Sequence, residues 1–313
     1  MNLDDARDLK ERIRHVVRAT LGHVPFATGI GRGGRPDGYR VALMLSCNAD
    51  RHFLQLPALR TILDRAWRHL DVEVAGMAIA TATIARSSKE TPLLKIGASV
   101  GHERGGIGSL GFFAIRRRDQ KCGFVSCNHV IAMVDEGMDG DSVVSPSHLD
   151  GEGRTVALLD GNYPRLTRSA SISADCAFAT LFDDTAYDAA TVDGGKLAAE
   201  TSQVALDLEV TKVGRITSAR QGFVTKIEVD DVWIRYGMHR AAFQNVIQIG
   251  SVSGAHFCQP GDSGALVYAT RTLQPVGLLF ATSYAGGPHN AGWTWVHPMQ
   301  HVTDALQVDF VNF

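Results

Sequence analysis

Leu3, Ala6, Leu9, Ile13, Val16, Val17 and Leu21 recur at helical spacing with charged residues between them, so the pattern predicts an amphipathic helix over 3–20. Such a helix needs an apolar surface. The β-rich stretches at 24–30 and 39–47, separated by a turn dense in Gly, Pro and Asp, supply one. A second helix is predicted over 57–69, with Pro57 suited to its first turn, and 72–84 returns to an extended, β-branched pattern. This order describes a small α+β domain over 1–88. The polar stretch that begins at Ser87, Ser88, Lys89 and Glu90 then leads through a linker, 89–95.

Beyond the linker the texture changes. Short apolar runs bounded by Gly, Asp, Asn or Pro appear at 110–115, 123–127, 142–145, 154–159 and 176–182, then at 204–213, 223–229, 245–249, 265–268, 276–282 and 293–296. Strands without intervening helices predict antiparallel sheets closed as barrels or stacked as a sandwich. A last helix is expected over 298–308.

Composition narrows the function classes. With 31 basic and 33 acidic side chains the formal charge is -2, so no global field draws the chain to nucleic acid or to an anionic membrane. The run Arg116, Arg117, Arg118 is read as a solvated hairpin tip. The charged N-terminus has no secretory pattern and no apolar run reaches transmembrane length, so a cytoplasmic location is expected. The five cysteines are accordingly expected as thiols without a structural disulfide. Cys122, Cys127 and His129 lack the second paired knuckle of a zinc site, and no metal is expected. Gly29, Gly31 and Gly34 spell a dinucleotide-like motif, but Pro36, Asp37 and Gly38 follow where a helix would be needed, so they read as a hairpin loop.

Three segments carry chemistry. In Pro260-Gly261-Asp262-Ser263-Gly264-Ala265 a serine stands on a tight turn ahead of a strand, and Gly261 leaves its own amide and that of Ser263 free to point together. Upstream, Gly123-Phe124-Val125-Ser126-Cys127-Asn128-His129 delivers a histidine at a strand end. Asp175 opens the apolar run Cys176-Ala177-Phe178, where a carboxylate gains from a partner such as an imidazole N–H. The chain order His, Asp, Ser is that of chymotrypsin-type barrels and not of the subtilisin or α/β-hydrolase classes.

On these motifs, together with Ile96-Gly97-Ala98-Ser99-Val100-Gly101-His102, Val213-Gly214-Arg215-Ile216-Thr217 and Val276-Gly277-Leu278-Leu279-Phe280, the segment 96–313 resembles the trypsin-like serine peptidases of bacteria and the related plant peptidases of the Narrow leaf 1 type. The resemblance implies a mainly β fold, a chymotrypsin-like double antiparallel β-barrel behind the small N-terminal α+β domain. It implies a serine endopeptidase with catalytic His129, Asp175 and Ser263, an oxyanion hole at Gly261 and Ser263, no cofactor, and protein or peptide substrates. Substrate would be bound by Phe257, Cys258, Ala281, Thr282 and Ser283. In such pockets the residue six before the nucleophile forms the floor, here Phe257, and no carboxylate stands nearby to pair with Lys or Arg; a small or apolar residue before the scissile bond is expected. A second reading treats the barrels as a regulatory protein that docks a partner through its N-terminal domain, with weak or conditional proteolysis.

Overall fold

The computed structural model describes residues 1–34, 38–80, 93–167 and 173–311. Helix α1 (Leu3–Leu21) begins where the Asn2 side chain accepts the Asp5 N–H and ends at Gly22 in the left-handed region. Strands β1 (Ala27–Arg32), β2 (Tyr39–Leu45) and β3 (Leu70–Val74) form the surface that α1 requires, and α2 (Pro57–Ala66) completes the layer. Leu9, Ile13 and Val17 of α1 share one core with Val41, Leu43, Leu45 and Leu59. The second expected helix is shorter than its pattern suggests, because Trp67–His69 tightens into a 3-10 turn that redirects the chain into β3. A two-residue strand, β4 (Ala78–Ile79), follows. The start of the expected linker and the end of the strand expected at 72–84 lie outside the described residues.

The next strands are β5 (Leu94–Ile96), β6 (Ser99–His102), β7 (Gly105–Ser109), β8 (Phe112–Arg116) and β9 (Cys122–Ser126). A single-turn helix, α3 (Asn128–Ile131), separates them from β10 (Ser142–Ser145), β11 (Arg154–Leu159), β12 (Ala177–Leu181) and β13 (Tyr187–Thr191). Apart from the parallel pair β5 and β13, they make one antiparallel sheet in the order β8-β9-β12-β11-β10-β6-β7. Phe112, Phe113, Phe124, Val125, Val143 and Phe178 fill its core.

Strands β14 (Glu209–Gly214), β15 (Ser218–Asp230), β16 (Val232–Tyr236), β17 (His239–Phe243), β18 (Val246–Ser251), β19 (Leu266–Ala269), β20 (Pro275–Thr282) and β21 (Thr294–Pro298) build the second half. The pairings β20-β19-β14-β15-β18-β21 return to β20, so six strands close a barrel. Helix α4 (Met299–Leu306) then leads to β22 (Val308–Phe310), which pairs with β8 of the first sheet and ties the halves together.

The N-terminal layer has its own core but not its own sheet. Strand β1 runs antiparallel to β15, with Ile30 opposite Ile227 and Gly31 opposite Lys226. Lys10 and Arg14 pair with Asp230 at 2.6 and 3.2 Å, Arg14 with Asp231 at 2.7 Å, and Arg7 with Glu228 at 2.6 Å. In the basic run at 116–118 Arg117 and Arg118 are exposed at the hairpin tip as expected, and only Arg116 departs. Arg116, at the base of the tip, is buried with its guanidinium over the Phe178 ring and is ion-paired with Asp119 and Asp160.

Candidate active site

His129 occupies α3, set at the end of β9 by its neighbour. The buried Asn128 side chain donates to Asp135 Oδ1 at 2.8 Å and to the Pro164 carbonyl at 2.9 Å, and accepts the Asp135 N–H at 3.1 Å, which fixes the short helix. Asp175 lies two residues before β12, which pairs with β9. Its carboxylate accepts the His129 backbone N–H at 3.2 Å on Oδ1 and His129 Nδ1–H at 2.5 Å on Oδ2. This contact assigns the proton of a neutral imidazole to Nδ1 and leaves the Nε2 lone pair unused. Among the described residues, His129 Nε2 is buried without a hydrogen-bond partner.

Two further side chains complete the surroundings of Asp175. Tyr236, carried by β16, donates its hydroxyl to Oδ2 at 2.7 Å. His297, on β21, accepts the Asp175 N–H on Nε2 at 3.0 Å. Burial alone would raise the Asp175 carboxyl, but His129 and Tyr236 outweigh it and hold the group below its ordinary range. Burial pushes the His297 imidazole down to about 3, so it stays neutral and serves as an acceptor.

Ser263 lies in the turn between β18 and β19, and only 5% of it is exposed. Its carbonyl accepts the Ser109 N–H at 2.8 Å. The carbonyl of Leu279 accepts both the Gly264 N–H, at 2.8 Å, and the Cys127 thiol, at 3.3 Å. The segments bearing Ser263 and His129 therefore meet at one β20 carbonyl. No hydrogen bond joins Ser263 Oγ to His129 among the described residues. Gly261 has φ +96°, and a Cβ there would fall 2.3 Å from Arg215 Nη1, so glycine is required. The amides of Asp262, Gly264 and Ala265 donate to protein carbonyls. Those of Gly261 and Ser263 have no protein acceptor among the described residues.

Asp262 holds this turn from behind. Fully buried, it accepts from Ile216 N at 2.8 Å, Thr217 N at 3.1 Å, Thr217 Oγ1 at 2.6 Å and Gln259 N at 3.0 Å. It is ion-paired with the equally buried Lys212 at 3.0 Å. Burial would raise its carboxyl, but Lys212 and the donors bring it below its ordinary range. Burial also lowers the Lys212 ammonium despite Asp262, and Thr217 Oγ1 and the Ser218 carbonyl accept its other protons.

The other sequence candidates are placed differently. Phe257 and Cys258 are buried in the second barrel's core with Val210, Val224, Ile249 and Val267. Ala281, Thr282 and Ser283 are buried as well. Cys122 is separate from Cys127, its thiol donating to the Tyr187 hydroxyl at 3.2 Å. Donor atoms of Cys127, His129 and Asp175 do lie within 4.8 Å of one another. Burial, however, pushes the Cys127 thiol well up and keeps it protonated, while Asp175 already engages His129 Nδ1. That chemistry suits a hydrogen-bonded pair better than a metal ligand set. All five cysteines are unpaired. Tyr236, His297 and Lys212 were not singled out from the sequence.

The fold is that of a chymotrypsin-like double β-barrel. A glutamic-acid-specific serine protease that uses a histidine triad in substrate binding superimposes with a TM-score of 0.51 at 15% identity, covering 70% of this chain and all of that one. Thermobifida fusca protease A gives 0.49 at 15% identity, covering 71% and 100%. Cellulomonas bogoriensis chymotrypsin gives 0.49 at 16%, covering 70% and 99%. No protein-family model matches the chain. No curated protein matches it.

Proposed function

We propose that the protein is a serine endopeptidase. The observation that carries this reading is the 2.5 Å contact between Asp175 and His129 Nδ1, which leaves a buried, unpartnered Nε2 on the imidazole beside the segment that bears Ser263. Ser263 Oγ attacks the peptide carbonyl carbon while its proton passes to His129 Nε2. The carbonyl electron pair moves onto oxygen, where the free amides of Gly261 and Ser263 receive the oxyanion, each such donor being worth about 3 kcal/mol in the transition state. His129 then gives its proton to the departing amine, and an acyl-serine remains. Water, deprotonated by the same Nε2, attacks the acyl carbon, and His129 returns that proton to Ser263 Oγ as the acyl–oxygen bond breaks and the acid product leaves. Asp175 keeps the tautomer and stabilises the imidazolium.

Substrate main chain would add along 281–283 as an extra strand, and the absence of a carboxylate at 280–283 favours a small or apolar residue before the scissile bond. Among the described residues no helix is long and apolar enough to cross a membrane. Labelling by a fluorophosphonate tests the assignment. The parent should label and Ser263→Ala should not, with both equally folded by circular dichroism. Equal labelling of the two would refute it.

A further inference from the structure

The edge of β20 that a substrate strand needs is already taken. On one side Thr282 is opposite Thr294 of β21, and on the other it is opposite Ile79 of β4, in antiparallel register. The far side of β4 lies parallel to β16, with Ala78 opposite Ile234 and Ile79 opposite Arg235. Because β4 and β20 are antiparallel, the chain at Ile79 and Ala80 advances towards lower β20 numbers, that is towards Leu279. The carbonyl of Leu279 holds Gly264 next to the nucleophile. This is the polarity required of the residues that precede a scissile bond. Ala75 and Ala78 are buried at 4% exposure, whereas Met77 between them is 51% exposed, so small side chains face in and a large one faces out. Gly76, at φ +73°, turns the chain beside Ser283 and Ala285.

We propose that residues 76–80 are an intramolecular occupant of the substrate-strand position, and that peptides bind by displacing them. The inference rests on the peptidase reading and extends it to the substrate class. An edge that accepts Ala78, Ile79 and Ala80 accepts extended peptides with small or β-branched apolar residues before the scissile bond. A tethered strand competes at high effective concentration, so the apparent affinity for an added peptide falls by the fraction of molecules in which β4 has left.

The test uses the full chain carrying Ser263→Ala and a fluorescein-labelled Gly-Met-Ala-Ile-Ala peptide followed by anisotropy. Adding Ile79→Pro, which removes a ladder donor from a strand paired on both sides, should tighten the apparent Kd at least tenfold. An unchanged Kd overturns the proposal. Hydrogen exchange gives a readout that needs no second substitution. Saturating peptide should accelerate exchange at Ala78, Ile79 and Ala80 in Ser263→Ala, and unchanged exchange with peptide bound overturns the proposal. Fluorophosphonate labelling of the Ser263-containing parent separates the two readings. Labelling with no effect at β4 removes only this proposal, and no labelling removes the peptidase reading together with it.

Discussion

Lys212→Met removes one member of a fully buried ion pair and leaves the other in place. Asp262 would keep its charge, since Ile216, Thr217 and Gln259 still donate to it, but the carboxylate would lose the cation paired with it. Breaking a buried pair from one side costs about 3–5 kcal/mol, and the remaining donors place this case near the lower figure. For a large domain 1 kcal/mol corresponds to roughly 2 °C, so Tm should fall by about 6 °C. Adding Asp262→Asn removes the stranded charge and should recover part of the loss. Differential scanning calorimetry on the parent, Lys212→Met and the double variant measures both effects. The pair is also linked to pH. The Asp262 carboxyl is held below its ordinary 3.8, so its contribution is complete above that value and is lost as pH falls through the folded value. A single variant within 1 °C of the parent, or a double variant no more stable than the single, would refute the view that this pair holds the Ser263 turn.

Tyr236→Phe should lower kcat about tenfold, in line with losing a hydrogen bond to a charged group, and should shift the acid limb of the pH–rate profile upward, because Asp175 loses one of the groups that hold its carboxyl down. A profile that only scales down, without shifting, would contradict this. His297 titrates near 3 when folded against 6.5 ordinarily, so the unfolded chain takes up its proton first, and stability should decline by roughly 1.4 kcal/mol per pH unit as pH drops below 6.5. His297→Gln, which retains an acceptor but not the titration, should flatten that slope in urea unfolding series. A fragment beginning at residue 93 should aggregate, since it bares the β15 edge and strips Glu228, Asp230 and Asp231 of Arg7, Lys10 and Arg14; a monodisperse fragment by light scattering would count against a shared sheet.

What the sequence showed and what it hid follow from the range of the interactions. Strands such as β9, β12 and β20 are long apolar runs buried on both faces, so periodicity and turn residues mark them without tertiary information. The β16 and β17 hairpin was missed although Val232, Ile234 and Tyr236 alternate with exposed Trp233 and Arg235, because its charged outer face looks like a loop when the chain is scanned for apolar runs. At the site, Ser263, His129 and Asp175 stand out through local motifs. Tyr236, His297 and Lys212 carry no local signal, being ordinary strand residues whose partners lie far along the chain. Phe257 shows the converse limit. A position counted from the nucleophile gave it a pocket role, while the packing around Gly222 and Ile249 draws its ring into the barrel core.

Long-range contacts of the same kind link the N-terminal layer to the surroundings of Asp175. Glu228 and Asp231 adopt φ of +49° and +59°, a left-handed backbone that is unfavourable for residues with a Cβ. They form the corner from which β15 gives way to β16, and the clamps from Arg7, Arg14 and Arg18 fall on these two residues, while Lys10 takes the Glu228 carbonyl. Strand β16 leaves that corner, pairs with β4 along one side, and ends on Tyr236, whose hydroxyl reaches Asp175. One short strand therefore separates the corner held by α1 from the carboxylate that accepts His129 Nδ1–H. The N-terminal unit thus meets the surroundings of Asp175 and Ser263 at two places, the β4 pairing with Thr282 and the clamped corner that leads into β16 and Tyr236.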